Sequence, residues 1–173
     1  EGIGDGVTQV LALAERQGEG PWTDIRGLLV DLLRVKLEDA PLIDTALGDR
    51  SQSVVVSGQQ ILLELASGSL KVNGRVGLVP TMDFFEAMDT KESENHGPQR
   101  TEPPAHEVML SSHPEVVGRA DTFVDVDPEY VPLVERLLGN TWFVQTLDSA
   151  RDLHRVTQGS MRFVTPAAEL VDH

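Results

Sequence analysis

The residues of this chain that could do chemistry stand at spacings that leave each chemistry incomplete. His106-Glu107 opens as a helical zinc-hydrolase motif does, but the second histidine is due at position 110, which is leucine. Ser111-Ser112-His113 offers a hydroxyl and an imidazole with no orienting acid at a recognisable spacing, so no acyl-transfer triad is assembled. Asp125, Asp127 and Glu129 alternate as paired carboxylates would. They stand ahead of a proline-led helical stretch, so they read better as residues for its positive end. Residues 2–6, GIGDG, precede a helical pattern but follow no strand, and no GxxxxGK[ST] phosphate cradle occurs. His96, His106 and His113 lie in or near a polar loop and read as solvated side chains rather than metal ligands. The chain has no cysteine, which excludes disulfides, thiolate metal sites and cysteine nucleophiles. No catalytic residue, cofactor site or metal site is therefore expected.

Charge points the same way. The chain of 173 residues carries 28 acidic and 14 basic side chains, a formal net charge of −14. Such a field keeps a protein dispersed and opposes non-specific binding to phosphate backbones. The close basic pairs are Arg34 with Lys36, and Arg151 with Arg155, which share a helix face at i, i+4. These four are the candidate DNA contacts, and they work against the global charge. Only eight aromatic residues occur, mostly within apolar runs, so the interleaved stacking platform of a single-strand binder is missing. The apolar runs are too short to cross a bilayer as a helix.

The elements that would position any site come from one stretch that occurs twice. Residues 27–48 read GLLVDLLRVKLEDAPLIDTALG and residues 118–139 read GRADTFVDVDPEYVPLVERLLG, at a constant offset of 91 positions. Seven positions are identical: Gly27/Gly118, Val35/Val126, Glu38/Glu129, Pro41/Pro132, Leu42/Leu133, Leu47/Leu138 and Gly48/Gly139. Composition alone gives roughly one or two over such a span. Each copy predicts a buried strand (32–35; 123–126), then a helix with proline in its first turn and an apolar face, Leu42, Ile43, Ala46 and Leu47 in the first and Leu133, Val134, Leu137 and Leu138 in the second. Gly48 and Gly139 stand where a left-handed C-cap belongs, and a second apolar strand follows each (54–56; 142–144).

Around this unit, Val7, Val10, Leu11 and Ala14 predict a helix stopped near Gly18, and Gly20-Pro21 a turn. Ser57 is placed to cap a helix through Ile61, Leu62, Leu65 and Ala66, followed by a strand at 75–79 and a short apolar helix or turn at 82–88. Thr146 is placed to cap a helix through Leu153, with Gly159 as its stop and strands at 161–165 and 169–171. Residues 89–106 contain almost nothing to bury and read as a linker or mobile loop. The expected organisation is a first subdomain at 1–88, a linker at 89–107 and a second subdomain at 108–173, in an α+β (mixed α/β) fold, each subdomain carrying a small sheet and packed helices.

With the motifs in order, the chain resembles the hinge domain of structural-maintenance-of-chromosomes (SMC) proteins. Gly4-Asp5-Gly6-Val7, Ile25-Arg26-Gly27-Leu28 and Asp31-Leu32 are similar to that family's glycine-rich opening. Residues 40–48 followed by Val54-Val55-Val56 resemble its core, and Gly77-Leu78-Val79-Pro80 stands in the place of one of its strands. Val117-Gly118-Arg119-Ala120, Leu137-Leu138-Gly139, Arg162-Phe163-Val164-Thr165 and Glu169-Leu170-Val171 match the second half. No single motif is specific; their order and spacing along nearly the whole chain are. The resemblance implies a non-catalytic homodimerisation module that joins two antiparallel coiled-coil arms of a cytoplasmic, nucleoid-associated chromosome segregation and condensation ATPase. The ATP-binding heads, and the contacts to accessory subunits of the complex, would belong to the full-length protein. It also puts the family's interface glycine run beyond His173, so a fragment of a longer protein is expected, and the 89–106 insertion is longer than the family needs.

Sheet edges left unpaired require a partner. Candidate positions for pairing across a homodimer are Arg75, Val76, Gly77 and Val79 in the first half, and Arg162, Val164, Thr165, Leu170 and Val171 in the second. A reading of another class stays open at this point: a small-molecule or regulatory α/β module with a ligand cleft between the halves.

Overall fold

The computed structural model describes residues 4–17, 20–67, 76–81 and 105–172. In chain order the elements are α1 (Asp5–Gln17), β1 (Ile25–Leu28), α2 (Leu29–Leu32), β2 (Arg34–Val35), α3 (Ala40–Leu47), β3 (Val54–Val56), α4 (Gln60–Ala66) and β4 (Leu78–Pro80). They continue as α5 (Ala105–Ser111), β5 (Val116–Arg119), β6 (Val124–Asp125), α6 (Val131–Leu138), β7 (Thr141–Val144), α7 (Leu147–Val156), β8 (Arg162–Val164) and β9 (Leu170–Val171). Short 3-10 turns occupy Gly20–Asp24, Gly48–Gln52, Ala120–Phe123 and Pro128–Tyr130. Helix and sheet are mixed, as the α+β expectation required. The expected helix at 82–88 and most of the expected linker lie outside the described residues; α5 begins at Ala105, inside the span assigned to that linker.

Two compact units form, Glu1–Leu33 with Asp49–Glu94, and Arg34–Gly48 with Asn95–His173. In the first, the sheet order is β1-β3-β4, with β3 antiparallel to β1 and parallel to β4. The three valines of β3 are wholly buried, which is why this central strand reads as an unbroken apolar run. Val7 and Val10 of α1, Trp22, Leu28, Val54, Val56 and Ile61 form its core. Ser57 does not cap α4: its N–H and hydroxyl both donate to the carbonyl of Asp24, so the residue ties β3 to the Gly20–Asp24 turn instead.

The second unit repeats this scheme and adds a strand, in the order β5-β7-β8-β9. Its central strand β7 is antiparallel to β5 and parallel to β8, and β9 folds back on β8 as a hairpin. Even the irregularity recurs: the first ladder slips register between Ile25 and Gly27, the other between Val116 and Gly118, at equivalent positions of the duplicated stretch. Thr146 accepts the N–H of Ser149 as the expected cap of α7, and Leu110, Trp142, Val144, Ala150, Leu153, Met161 and Phe163 make the core.

The duplicated helices form as predicted, each with proline in its first turn. Their ends differ. Gly48 takes φ +55°, a conformation that favours glycine, but Gly139 is right-handed at φ −61°. A Cβ at Gly139 would instead run into the carbonyl oxygen of Glu135, which already accepts the Gly139 N–H. The strands before these helices also differ from expectation. β2 and β6 are two residues long and only half-buried, because they pair with each other alone in a two-stranded ladder.

Sequence order does not draw the unit boundary. Residues Arg34–Gly48 belong to the first copy but pack in the second unit, β2 on β6 and α3 against α6 and β8. Ile43, Ala46 and Leu47 are the buried face of α3, and side chains of this kind contribute about 1.5–3 kcal/mol each when fully buried. Residues 95–173 alone would leave that contact surface wet. They are expected to unfold without a cooperative transition in urea, followed by circular dichroism, and to regain one when residues 34–48 are joined to them through a flexible linker.

Candidate functional site

Two strands lie at sheet edges that the sequence marks for pairing. On β4, the carbonyl of Gly77 accepts the Val54 N–H and the Thr81 N–H donates to the Val56 carbonyl, both at 2.9 Å. Residues 77, 79 and 81 therefore turn their backbone groups toward β3, and Leu78 and Pro80 turn theirs away. Proline brings no N–H, so the outward rim of β4 offers the N–H and carbonyl of Leu78. On β9, the Glu169 carbonyl accepts the Thr165 N–H at 3.0 Å and Phe163 lies opposite Val171, so the backbone of Leu170 faces outward. Among the described residues β4 pairs with β3 alone and β9 with β8 alone.

The candidate interface residues divide accordingly. Val79, Val164 and Thr165 are buried in their own units, so any pairing there uses backbone rather than side chains. Gly77 is exposed, and Val76 is half-buried against the first core. Arg162 belongs to the interior strand β8, with its Nε 3.8 Å from an Asp172 carboxylate oxygen. Leu170 and Val171 are the pair on the outer strand, and Leu170 is among the exposed large hydrophobics. Arg75 lies outside the described residues. The turn joining β8 to β9 is held by Thr165, whose carbonyl accepts the Ala168 N–H and whose hydroxyl donates to Glu169 Oε2 at 2.9 Å. Ala168 sits there at φ +59°, a conformation alanine adopts at a cost.

Of the candidate DNA residues, Arg151 and Arg155 are exposed on α7 and border an open cleft of about 490 Å³ with His154, Gln158, Gly159 and Val171. The same groove thus brings the arginine pair beside the outer strand β9. Asp152 lies 3.4 Å from Arg155. Arg34 is engaged otherwise. Its guanidinium donates to Asp127 Oδ1 at 2.9 Å and stands 3.6 Å from Asp125 Oδ2. The hydrogen bond and charge of Asp127, then the charge of Asp125, hold it above the usual arginine range. Asp125 and Asp127 accordingly do not cap the following helix: Asp127 makes no side-chain cap bond, and its carboxylate serves Arg34. Lys36 is exposed, and its carbonyl accepts the Asp39 and Ala40 N–H groups.

Of the remaining chemical candidates, Ser111, Ser112 and His113 are absorbed into local structure, and His96 lies outside the described residues. Ser111 and Ser112 hydroxyls donate to carbonyls one turn back on α5, and His113 Nδ1 accepts the Glu115 N–H. Sequence reasoning missed one cluster. Arg119 Nε and Nη2 grip the Asp121 carboxylate at 2.7 Å, and Nη1 lies 3.5 Å from Glu107. The Asp121 hydrogen bond dominates in raising the arginine's pKa. The spacing of Arg119 and Asp121 along the extended chain was visible, but Glu107 joins them only through packing of α5 on β5.

With this geometry in view, comparison with known proteins is decisive. The family model for the SMC proteins flexible hinge domain matches residues 23–154. This chain belongs to the SMC hinge domain family. Over its full length it is 35% identical to the chromosome partition protein Smc of Rhodopirellula baltica, and over 99% of its length 26% identical to that of Bacillus subtilis. The hinge spans 13% of each relative's length. Its fold matches the hinge domain of Geobacillus stearothermophilus SMC, solved as an asymmetric dimer, with a TM-score of 0.71 at 26% identity, over 97% of this chain and 60% of that one. The Pyrococcus furiosus Smc hinge domain with an extended coiled coil shares the fold at a TM-score of 0.60 and 22% identity, over 96% of this chain and 52% of that one. Membership does not favour the reading as a ligand module with a cleft between the halves.

Three side chains of the hinge provide checks. Replacing Ala168 with glycine should raise stability by about 1 kcal/mol, read as a higher thermal midpoint. Arg119→Ala leaves the Asp121 carboxylate, only 7% exposed, without its fork of donors, and should cost about 2 kcal/mol in a urea melt. Arg34→Ala removes an ion pair that water screens on all members, and should leave the same melt nearly unchanged.

Proposed function

We propose that this chain is the homodimerisation hinge of a chromosome partition protein of the SMC type. The single observation that supports this most is the pair of edge strands, β4 in one unit and β9 in the other, each paired with a single strand among the described residues, in a chain whose structural neighbour from Geobacillus stearothermophilus was solved as a dimer. A backbone rim that meets a partner strand gains directional hydrogen bonds, and Leu170 adds apolar burial beside it. In this reading β4 of one molecule meets the second unit of its twin, with Val76, Gly77 and Val79 on one side and Thr165, Leu170 and Val171 on the other. The hinge joins two coiled-coil arms and does no catalysis. ATP hydrolysis and accessory-subunit binding reside in the larger part of a protein of which this chain covers a small share. Arg151 and Arg155 form a minor DNA contact next to the β9 edge, weak at physiological salt against the chain's acidic field. The protein works in the cytoplasm, at the nucleoid.

Sedimentation of the chain extended past His173, over a concentration series, should give a dimer. Leu170→Pro removes the outward N–H of β9 while sparing the inward bonds of Glu169 and Val171, so the dimer should weaken at least about tenfold with the thermal melt retained. An extended wild-type chain that stays monomeric at high concentration sinks the dimerisation reading. A Leu170→Pro dimer as tight as wild type sinks the assignment of β9 as the pairing edge.

A further inference from the structure

We infer that Thr165 and Glu169 are positioning residues for self-association: their side chains clasp β9 into a formed edge before a partner strand arrives. The inference rests on the dimerisation reading above. It gives these two side chains work inside their own chain rather than contact with the twin.

Taken alone, β9 is a marginal element. It has two residues, and its ladder with β8 consists of two pairs, Phe163 with Val171 and Val164 with Leu170. Its turn carries Ala168 at φ +59°, which works against folding back. Leu170 is among the exposed large hydrophobics, so of the two side chains it is Val171 that packs against the second core. A strand this short, after a strained turn, opens locally unless something else closes it.

Thr165 and Glu169 supply that closure. The Thr165 N–H donates to the Glu169 carbonyl at 3.0 Å, the ordinary backbone link. A side-chain link stands beside it. The Thr165 hydroxyl donates to Glu169 Oε2 at 2.9 Å, and the Glu169 N–H in turn donates to that hydroxyl oxygen at 3.4 Å. Thr165 is 2% exposed, so its hydroxyl is withdrawn from water and the carboxylate gives it a charge-assisted bond. Losing that acceptor leaves a buried hydroxyl unpaired, which holds the pair shut. At the other end of the hairpin, Arg162 and Asp172 lie one position beyond Phe163 and Val171. Their Nε and Oδ2 atoms stand 3.8 Å apart, a weaker tie because both side chains are partly exposed. The stronger clasp therefore adjoins Leu170, whose outward backbone groups are the ones proposed to meet a partner. A strand already extended there need not be ordered at the moment of binding, and the saving appears as affinity.

The test uses the chain extended past His173 and reads two quantities. Dimer strength comes from sedimentation over a concentration series. Closure of β9 comes from amide hydrogen exchange of the peptide that contains it, followed by mass spectrometry at a dilution where the chain is monomeric. Glu169→Ala and Thr165→Val each remove the side-chain bond, whereas Glu169→Gln keeps an acceptor and Thr165→Ser keeps a hydroxyl. The first two should each weaken the dimer about fivefold and speed β9 exchange by a similar factor, with the conservative two within about twofold of wild type. Both losses concern one bond, so the double variant should be no weaker than either single. A merely structural role would lower the thermal midpoint of the whole chain and leave dimer strength and β9 exchange where they were. A wild-type chain that does not associate removes the dimerisation reading and this inference with it. A wild-type dimer whose strength neither Glu169→Ala nor Thr165→Val alters, or a Glu169→Gln chain as weak as Glu169→Ala, overturns the inference alone.

Discussion

Each strand has two hydrogen-bonding rims, and a buried or half-buried rim must find partners. Much of this molecule follows from how it meets that constraint with short strands. β3 and β7 bond on both sides and are correspondingly buried along their whole length, with apolar runs at Val54 to Val56 in one case and Trp142 to Val144 in the other. β8 also bonds on both sides, whereas β1, β4, β5 and β9 bond on one side within their own sheets among the described residues. β2 and β6, too short to belong to either larger sheet, satisfy one another. Small sheets have a high ratio of edge to interior, so a hinge built from them carries pairing capacity to its surface as a matter of geometry.

The β2–β6 ladder also shows what duplication makes possible. Arg34 and Asp125 occupy the same position in the two copies, and the ladder sets them opposite each other, as a local two-fold axis does. In a pairing between identical strands that position would face its own kind, and like charges directly opposite are destabilising. Two copies within one chain can differ, so one supplies arginine and the other aspartate. The ladder also holds α3 against α6 and β8, which is how part of the first copy becomes part of the second unit's core.

Much of this was legible in the residues. The apolar runs at 54–56 and 142–144 announced the central strands, Pro41 and Pro132 the helix starts, and Thr146 its cap, because each is a local preference with a side-chain signature. Ser57 and Asp127 misled for the same reason. Both have the chemistry of a cap, but a stronger partner stood nearby in space, the Asp24 carbonyl for one and the Arg34 guanidinium for the other. Gly139 satisfied a pattern for left-handed caps and serves close packing over the Glu135 carbonyl instead. The Arg119 cluster was half visible, since Glu107 enters it only when a helix packs on a strand.

By itself, then, the sequence determined the duplicated unit, the order and kind of its elements, the absence of a complete catalytic motif, and the family through the order of its motifs. The tertiary structure decided that residues 34–48 join the second unit, which strands became edges, and on which partners the polar groups were spent. The reason is physical. Periodicity and turn chemistry act between near neighbours and leave their mark on residue types. Strand pairing joins backbones that are alike at every position, across roughly ninety residues in the case of Arg34 and Asp125, and so leaves almost none.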